Sequence, residues 1–164
     1  VSDDSKRLDP VPGDWQPISP KYVAVDLIGI LISAVIFTAA ASFPAMFTGL
    51  PWLFAIPAAI LLFHIVGAAL TPRRVRAMGY QLRQDDLVFR RGIMFLRVVA
   101  VPYGRMQLVD INRGPVARAF GLSELKLVTA AASSHITIPG LPEADADALR
   151  DRLVELAESR RAGL

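Results

Sequence analysis

The chain has 164 residues, 53% of them hydrophobic, with 18 Lys or Arg against 15 Asp or Glu and no cysteine. The missing cysteine excludes disulfides, thiolate metal sites and cysteine nucleophiles. The apolar content is too uneven for one soluble domain: Leu27 to Pro72 is a run of 46 residues without Asp, Glu, Lys or Arg, and water cannot be the solvent for all of it.

Residues 1–22 carry Pro10, Pro12, Gly13, Pro17 and Pro20 and read as an extended tail, with Trp15 an aromatic suited to a membrane interface. Residues 23–72 read as a helical hairpin. Its apolar blocks, 23–43 and 50–70, are 21 residues each. At about 1.5 Å per residue each would reach ~32 Å, matching a hydrocarbon core of ~30 Å. Each block holds eleven Leu, Ile, Val or Phe, which contribute roughly −3 to −7 kcal/mol to insertion. Pro44–Gly49 is the expected connection, and Pro57 the expected kink in the second helix. Ala39-Ala40-Ala41 resembles a signal-peptide cleavage site, but the span is longer than a signal core and the second span would anchor the chain anyway.

Lys6, Arg7 and Lys21 precede the first block, Arg73, Arg74 and Arg76 follow the second, and the segment between them has no cation. The positive-inside rule then places both termini in the cytoplasm of a multi-pass cell-membrane protein. Asp26 and His64 are the intramembrane polar residues. In an antiparallel hairpin both fall in the cytoplasmic half, at depths of about 5 and 9 Å, where they could pair. A proton relay is one reading; an interfacial Asp and a neutral, hydrogen-bonded His is the preferred one.

From residue 73 to 164 the pattern becomes that of a small domain. Residues 73–126 hold eleven Lys or Arg against four acids, so the basic character lies next to the apolar run. Tyr80–Arg83 and Leu87–Arg90 alternate as a β-hairpin around Gln84-Asp85-Asp86, which reads as a turn rather than a metal pair. Arg91-Gly92 supplies the next turn. Ile93–Val101 reads as a strand stopped by Pro102, and Met106–Ile111 as another. Gly114–Gly121 fits a short helix, with Pro115 at its start and a glycine past its end. Glu124–Thr129 and His135–Ile138 read as strands, the latter ended by Pro139-Gly140. A final amphipathic helix runs from Pro142 to Arg160, with Ala146, Leu149, Leu153 and Leu156 on one face.

Three stretches in order carry a resemblance: Val101-Pro102-Tyr103-Gly104-Arg105-Met106-Gln107-Leu108-Val109, Arg118-Ala119-Phe120-Gly121-Leu122, and Leu125–Ala130. Together they resemble the bacterial pleckstrin-homology (PH)-like membrane proteins. That resemblance implies an α+β architecture: a transmembrane helical hairpin, then a split, partly open β-barrel of about seven strands capped by the C-terminal helix. Arg105 and Gln107 are the residues shared with the family motif, and a fold-holding role through hydrogen bonds is expected of them ahead of a binding role.

No catalytic set is legible. The sequence has two histidines and no His-Glu-x-x-His, phosphate loop or nucleophile elbow. Ser133-Ser134-His135 are adjacent on the chain, and neighbouring strand residues point apart. No enzyme activity, cofactor, metal or nucleic-acid partner is therefore expected. Arg90, Arg91 and Arg97 surround a predicted loop and could face anionic lipid, each cation near the surface contributing about 1 kcal/mol. Three functional expectations follow: a membrane-anchored scaffold for a protein partner or a second copy, an anionic-lipid sensor through the arginine loops, and a small oligomeric proton or ion pathway through Asp26 and His64. The first is the leading one.

Overall fold

The computed structural model describes residues 15–129 and 135–162; residues 1–14 and the Ser133-Ser134 pair lie outside them. Helix α1 covers Tyr22–Thr48 and α2 covers Ala55–Arg76, joined through a 3-10 turn at Pro51–Phe54. The helices are antiparallel, Asp26 meeting Thr71 near one end and Phe37 meeting His64 further along. In the most apolar 18-residue window of each helix only 6% of residues are buried by protein. Phe37, Phe47 and Phe63 point outward with the rest. These are not the core helices of a soluble fold, because the surface they expose is the apolar one.

The helix ends differ from expectation in two places. Pro44 does not open the connection; α1 continues through it to Thr48, whose Oγ1 donates to the Pro44 carbonyl at 2.9 Å. In an apolar medium one lost amide donor costs less than unwinding a turn and exposing its backbone groups. Pro57 lies in the first turn of α2, where its missing N–H would have had no intrahelical partner, so it needs no kink. At the other end α2 runs on to Arg76, placing Arg73, Arg74 and Arg76 in its last turn, where the helix dipole favours cations.

Among the described residues seven strands form two antiparallel sheets. The first, in order, is β1 (Gln16–Pro17), β2 (Gly79–Leu82), β3 (Asp86–Arg91) and β4 (Arg97–Pro102); the second is β5 (Met106–Asn112), β6 (Leu122–Thr129) and β7 (His135–Pro142). Helix α3 (Pro115–Ala119) links β5 to β6, and α4 (Glu143–Ala162) covers the second sheet. The barrel is not closed. Leu87, Phe89, Val101, Met106, Leu125, Leu127 and Ile138 fill the core from the sheets, and Ala146, Leu149, Leu153 and Ala157 from α4.

β1 corrects the reading of residues 1–22 as a tail. Gln16 pairs with Tyr80 and Pro17 with Gly79, Tyr80 Oη donates to Gln16 Oε1 at 2.7 Å, and Ile18 is 4% exposed within the core. Val75, near the end of α2, is buried in the same core. The apolar hairpin is therefore an insertion between two neighbouring strands of one sheet, and the domain does not begin at residue 73. Burial of Ile18 stabilises that closure by about 1.5–3 kcal/mol.

Two strand boundaries also move. Ile93–Leu96 is a loop, not the start of a strand, and all four side chains are exposed. Gly92 turns the chain with φ +116, and a Cβ there would lie 2.0 Å from the Phe95 carbonyl oxygen, so the turn is too tight for any side chain. β7 passes through Pro139-Gly140 instead of ending there. Leu125 pairs with Ile138 and Ser123 with Leu141, so the extra residue is absorbed in a bulge.

Candidate functional site

A cleft lies where the hairpin enters the domain. It measures about 590 Å³, and its walls are the start of α1 (Tyr22, Asp26), the end of α2 and the link after it (Arg74, Met78), the β3–β4 hairpin (Phe89, Arg91, Gly92, Phe95, Arg97) and the second sheet (Glu124, Thr137, Pro139). Local structure aims each group. Leu87, Phe89 and Arg91 share one face of β3 by strand alternation; the first two are core residues, and Arg91 emerges where the core ends. Arg97 is its direct partner across the β3–β4 pair, which brings two cations onto one face. Like charges directly opposite are destabilising in a sheet. Among the described residues neither guanidinium has an ion-pair or hydrogen-bond partner.

The remaining charges of the cleft are engaged. Asp26 accepts from Arg74 in an ion pair and from Thr71 Oγ1 at 3.2 Å. Glu124 accepts from Asn112 Nδ2 at 2.6 Å. Three guanidiniums thus line the cleft with two carboxylates, and the two cations without partners among the described residues stand together at the ends of β3 and β4. That arrangement suits an anion with several oxygens.

Other residues singled out by sequence fall elsewhere. Arg90 projects to the opposite face of β3, where its guanidinium carbon lies 4.4 Å from the Trp15 ring centroid. A cation–π contact of that kind is a packing interaction, and it places Trp15 against the domain instead of at a free interface. Arg105 and Gln107 are exposed, and among the described residues no hydrogen bond reaches either side chain, so the expected fold-holding bonds are not made. Gln107 is the extra residue of the bulge between Met106 and Leu108. Asp26 and His64 do not pair; His64 Nδ1 donates to the Ile60 carbonyl at 2.8 Å, and its ring meets Phe37 and Phe63. Asp85 of the Asp-Asp turn accepts from Arg160 of α4. The cleft's Tyr22, Arg74, Phe95, Glu124 and Thr137 were not singled out as binding residues by sequence, since only folding brings them together. A local signal did exist in Arg91-Gly92-Ile93-Met94-Phe95-Leu96-Arg97, an apolar run bracketed by cations.

Residues 23–157 match the family described as Bacterial PH domain. The chain belongs to that family. This bacterial PH domain protein is also 34% identical over 146 residues to the UPF0699 transmembrane protein YdbS of Bacillus subtilis (strain 168), an alignment covering 85% of this chain and 91% of that one. No solved structure matches it. The family and the two outward-facing apolar helices make it a membrane-associated PH-like module. In this bacterial PH domain the family match begins at Val23, so β1 and Ile18 extend the fold beyond the matched span.

Proposed function

We propose that this protein is a non-enzymatic, membrane-anchored PH-like module that engages anionic lipid headgroups at the cytoplasmic face of the bilayer. The observation that carries this is the Arg91–Arg97 pair: two guanidiniums opposite each other, neither with an ion-pair or hydrogen-bond partner among the described residues, in a cleft walled by the start of α1 and the end of α2. The positive-inside rule supports the orientation, since Arg73, Arg74 and Arg76 end α2. An anionic leaflet then lies against the cleft mouth, where a phosphate group would relieve the repulsion of the two arginines.

The test uses the full chain in neutral detergent, with thermal unfolding followed on adding short-chain phosphatidylglycerol, short-chain phosphatidylcholine or inorganic phosphate. Binding to the folded state raises the unfolding temperature by mass action. Phosphatidylglycerol should stabilise and phosphatidylcholine should not; Arg91→Ala with Arg97→Ala should abolish the difference, whereas Arg90→Ala should keep it. Equal stabilisation by both lipids would sink the proposal, and stabilisation by phosphate alone would reassign the cleft to a soluble anion.

A protein partner or a second copy of the chain is the second reading, and the open barrel supports it. β1 and β4 end the first sheet, and β5 and β7 end the second, so four strand edges have no strand neighbour among the described residues. Strand addition uses such edges. The proton-pathway reading draws less support, since Asp26 is paired with Arg74 and His64 with its own helix.

A further inference from the structure

The β3–β4 loop is the most exposed apolar segment outside the two long helices. Met94 is 87% exposed and Phe95 85%, with Ile93 and Leu96 open beside them. Four consecutive apolar residues at a loop tip would be costly to leave in water, and the turn that presents them is a tight one. Gly92, at φ +116, packs its α-carbon where a side chain would strike the Phe95 carbonyl, and the four side chains that follow are exposed.

The position of the loop identifies what covers it. Phe95 lies at the mouth of the cleft whose other walls include Tyr22 and Asp26 of α1 and Arg74 of α2. Asp26 is one helical turn into α1, about 6 Å along its axis. The tip therefore stands beside the first turn of α1 and the last turn of α2, the segments that lead into the two apolar spans. Arg91 and Arg97 bracket the loop at its base, at the height where headgroups begin. Apolar tip, cationic base and adjacent membrane helices are together the composition of a segment that dips into one leaflet.

We infer that the loop Gly92–Leu96 inserts into the cytoplasmic leaflet beside the hairpin and forms a third, monotopic attachment of the domain to the membrane. With the two helices it would fix the tilt of the domain on the bilayer and hold the arginine cleft against the headgroups. The insertion is independent of headgroup choice, since an apolar loop dissolves in a neutral bilayer as well.

The natural absence of cysteine allows a clean test. The full chain carrying Met94→Cys is labelled with an environment-sensitive fluorophore and reconstituted into nanodiscs of zwitterionic phosphatidylcholine, with or without phosphatidylcholine brominated on its acyl chains. Ile93→Cys is the second loop site, and Glu158→Cys, exposed on α4, is the water reference. Blue-shifted emission at both loop sites, quenched by brominated lipid, with neither effect at Glu158→Cys, is the expected result. Water-like emission at both loop sites would overturn the inference. So would a blue shift that brominated lipid does not quench, because the loop would then be covered by protein.

Discussion

Tyr103 shows how one residue type was readable in the sequence and its role was not. It stands in the motif beside Arg105, yet it is fully buried, and its Oη donates to the Arg83 carbonyl at 2.8 Å. Burial, with the Asp86 carboxylate adding to it, pushes its pKa up to about 12 from an ordinary value of 10. The folded state therefore holds the phenol proton between pH 10 and 12 where the unfolded state releases it, so stability present below pH 10 falls as pH rises through that window. Tyr103→Phe should cost about 1 kcal/mol at neutral pH through the lost hydrogen bond, and the parent's advantage should shrink above pH 10 and vanish before pH 12, because a pKa rise from 10 to about 12 outweighs that bond. Unfolding midpoints measured from pH 8 to 12 check this; a parent advantage that grows above pH 10 would contradict it. Gly140 was legible only as a turn residue. Its φ of +69 and the 2.7 Å that would separate its Cβ from Tyr22 Cβ show its role to be the close passage of α1 across β7. Arg105 and Gln107 had a motif to mark them, but no sequence pattern separates an exposed motif residue from a hydrogen-bonded one.

Among elements, the long apolar helices and the α4 stripe were plain in the sequence because periodicity and length report solvent directly. Ala146, Leu149 and Leu153 are buried as the stripe requires. β1 was invisible for a physical reason: two residues ending in a proline have no alternation to read, and the partner strand lies some sixty residues away across the hairpin. The β3–β4 loop was misread because its apolar residues imitate a buried strand. The pairing of β1 with β2 makes a definite prediction. A soluble chain joining residues 15–21 to 75–162 through a short flexible linker should fold, whereas residues 75–162 alone should lose cooperative unfolding. Ile18→Ala in the full chain should cost roughly 2–5 kcal/mol, as large-to-small core changes do. Chemical-denaturation curves of the three proteins decide it; a fragment 75–162 as stable as the linked chain would refute the role of β1.

For the whole molecule, the hairpin as an insertion changes how the domain is held. A domain hung from a single linker would be free to reorient, but here the chain on both sides of the hairpin is built into one sheet and one core. Ser19 N–H donates to the Gly140 carbonyl at 2.9 Å, and Val75 is buried in the same core cluster as Ile18 and Leu141. The hairpin is thereby tied to the domain through two short, packed connections. The fold class followed from composition, periodicity and the family motifs. The cleft did not, because its cations and carboxylates come from four separate regions of the chain that only tertiary packing assembles.

The account depends most on both flanks of the hairpin folding together on one side of a bilayer. Cysteines placed singly at Lys21, Thr48 and Glu158, all exposed, can be probed in intact bacterial cells with a membrane-impermeant maleimide. Thr48→Cys should label from outside, while Lys21→Cys and Glu158→Cys should label only after lysis. Labelling of Lys21→Cys and Glu158→Cys from opposite sides, or of Thr48→Cys from the same side as either, would contradict it.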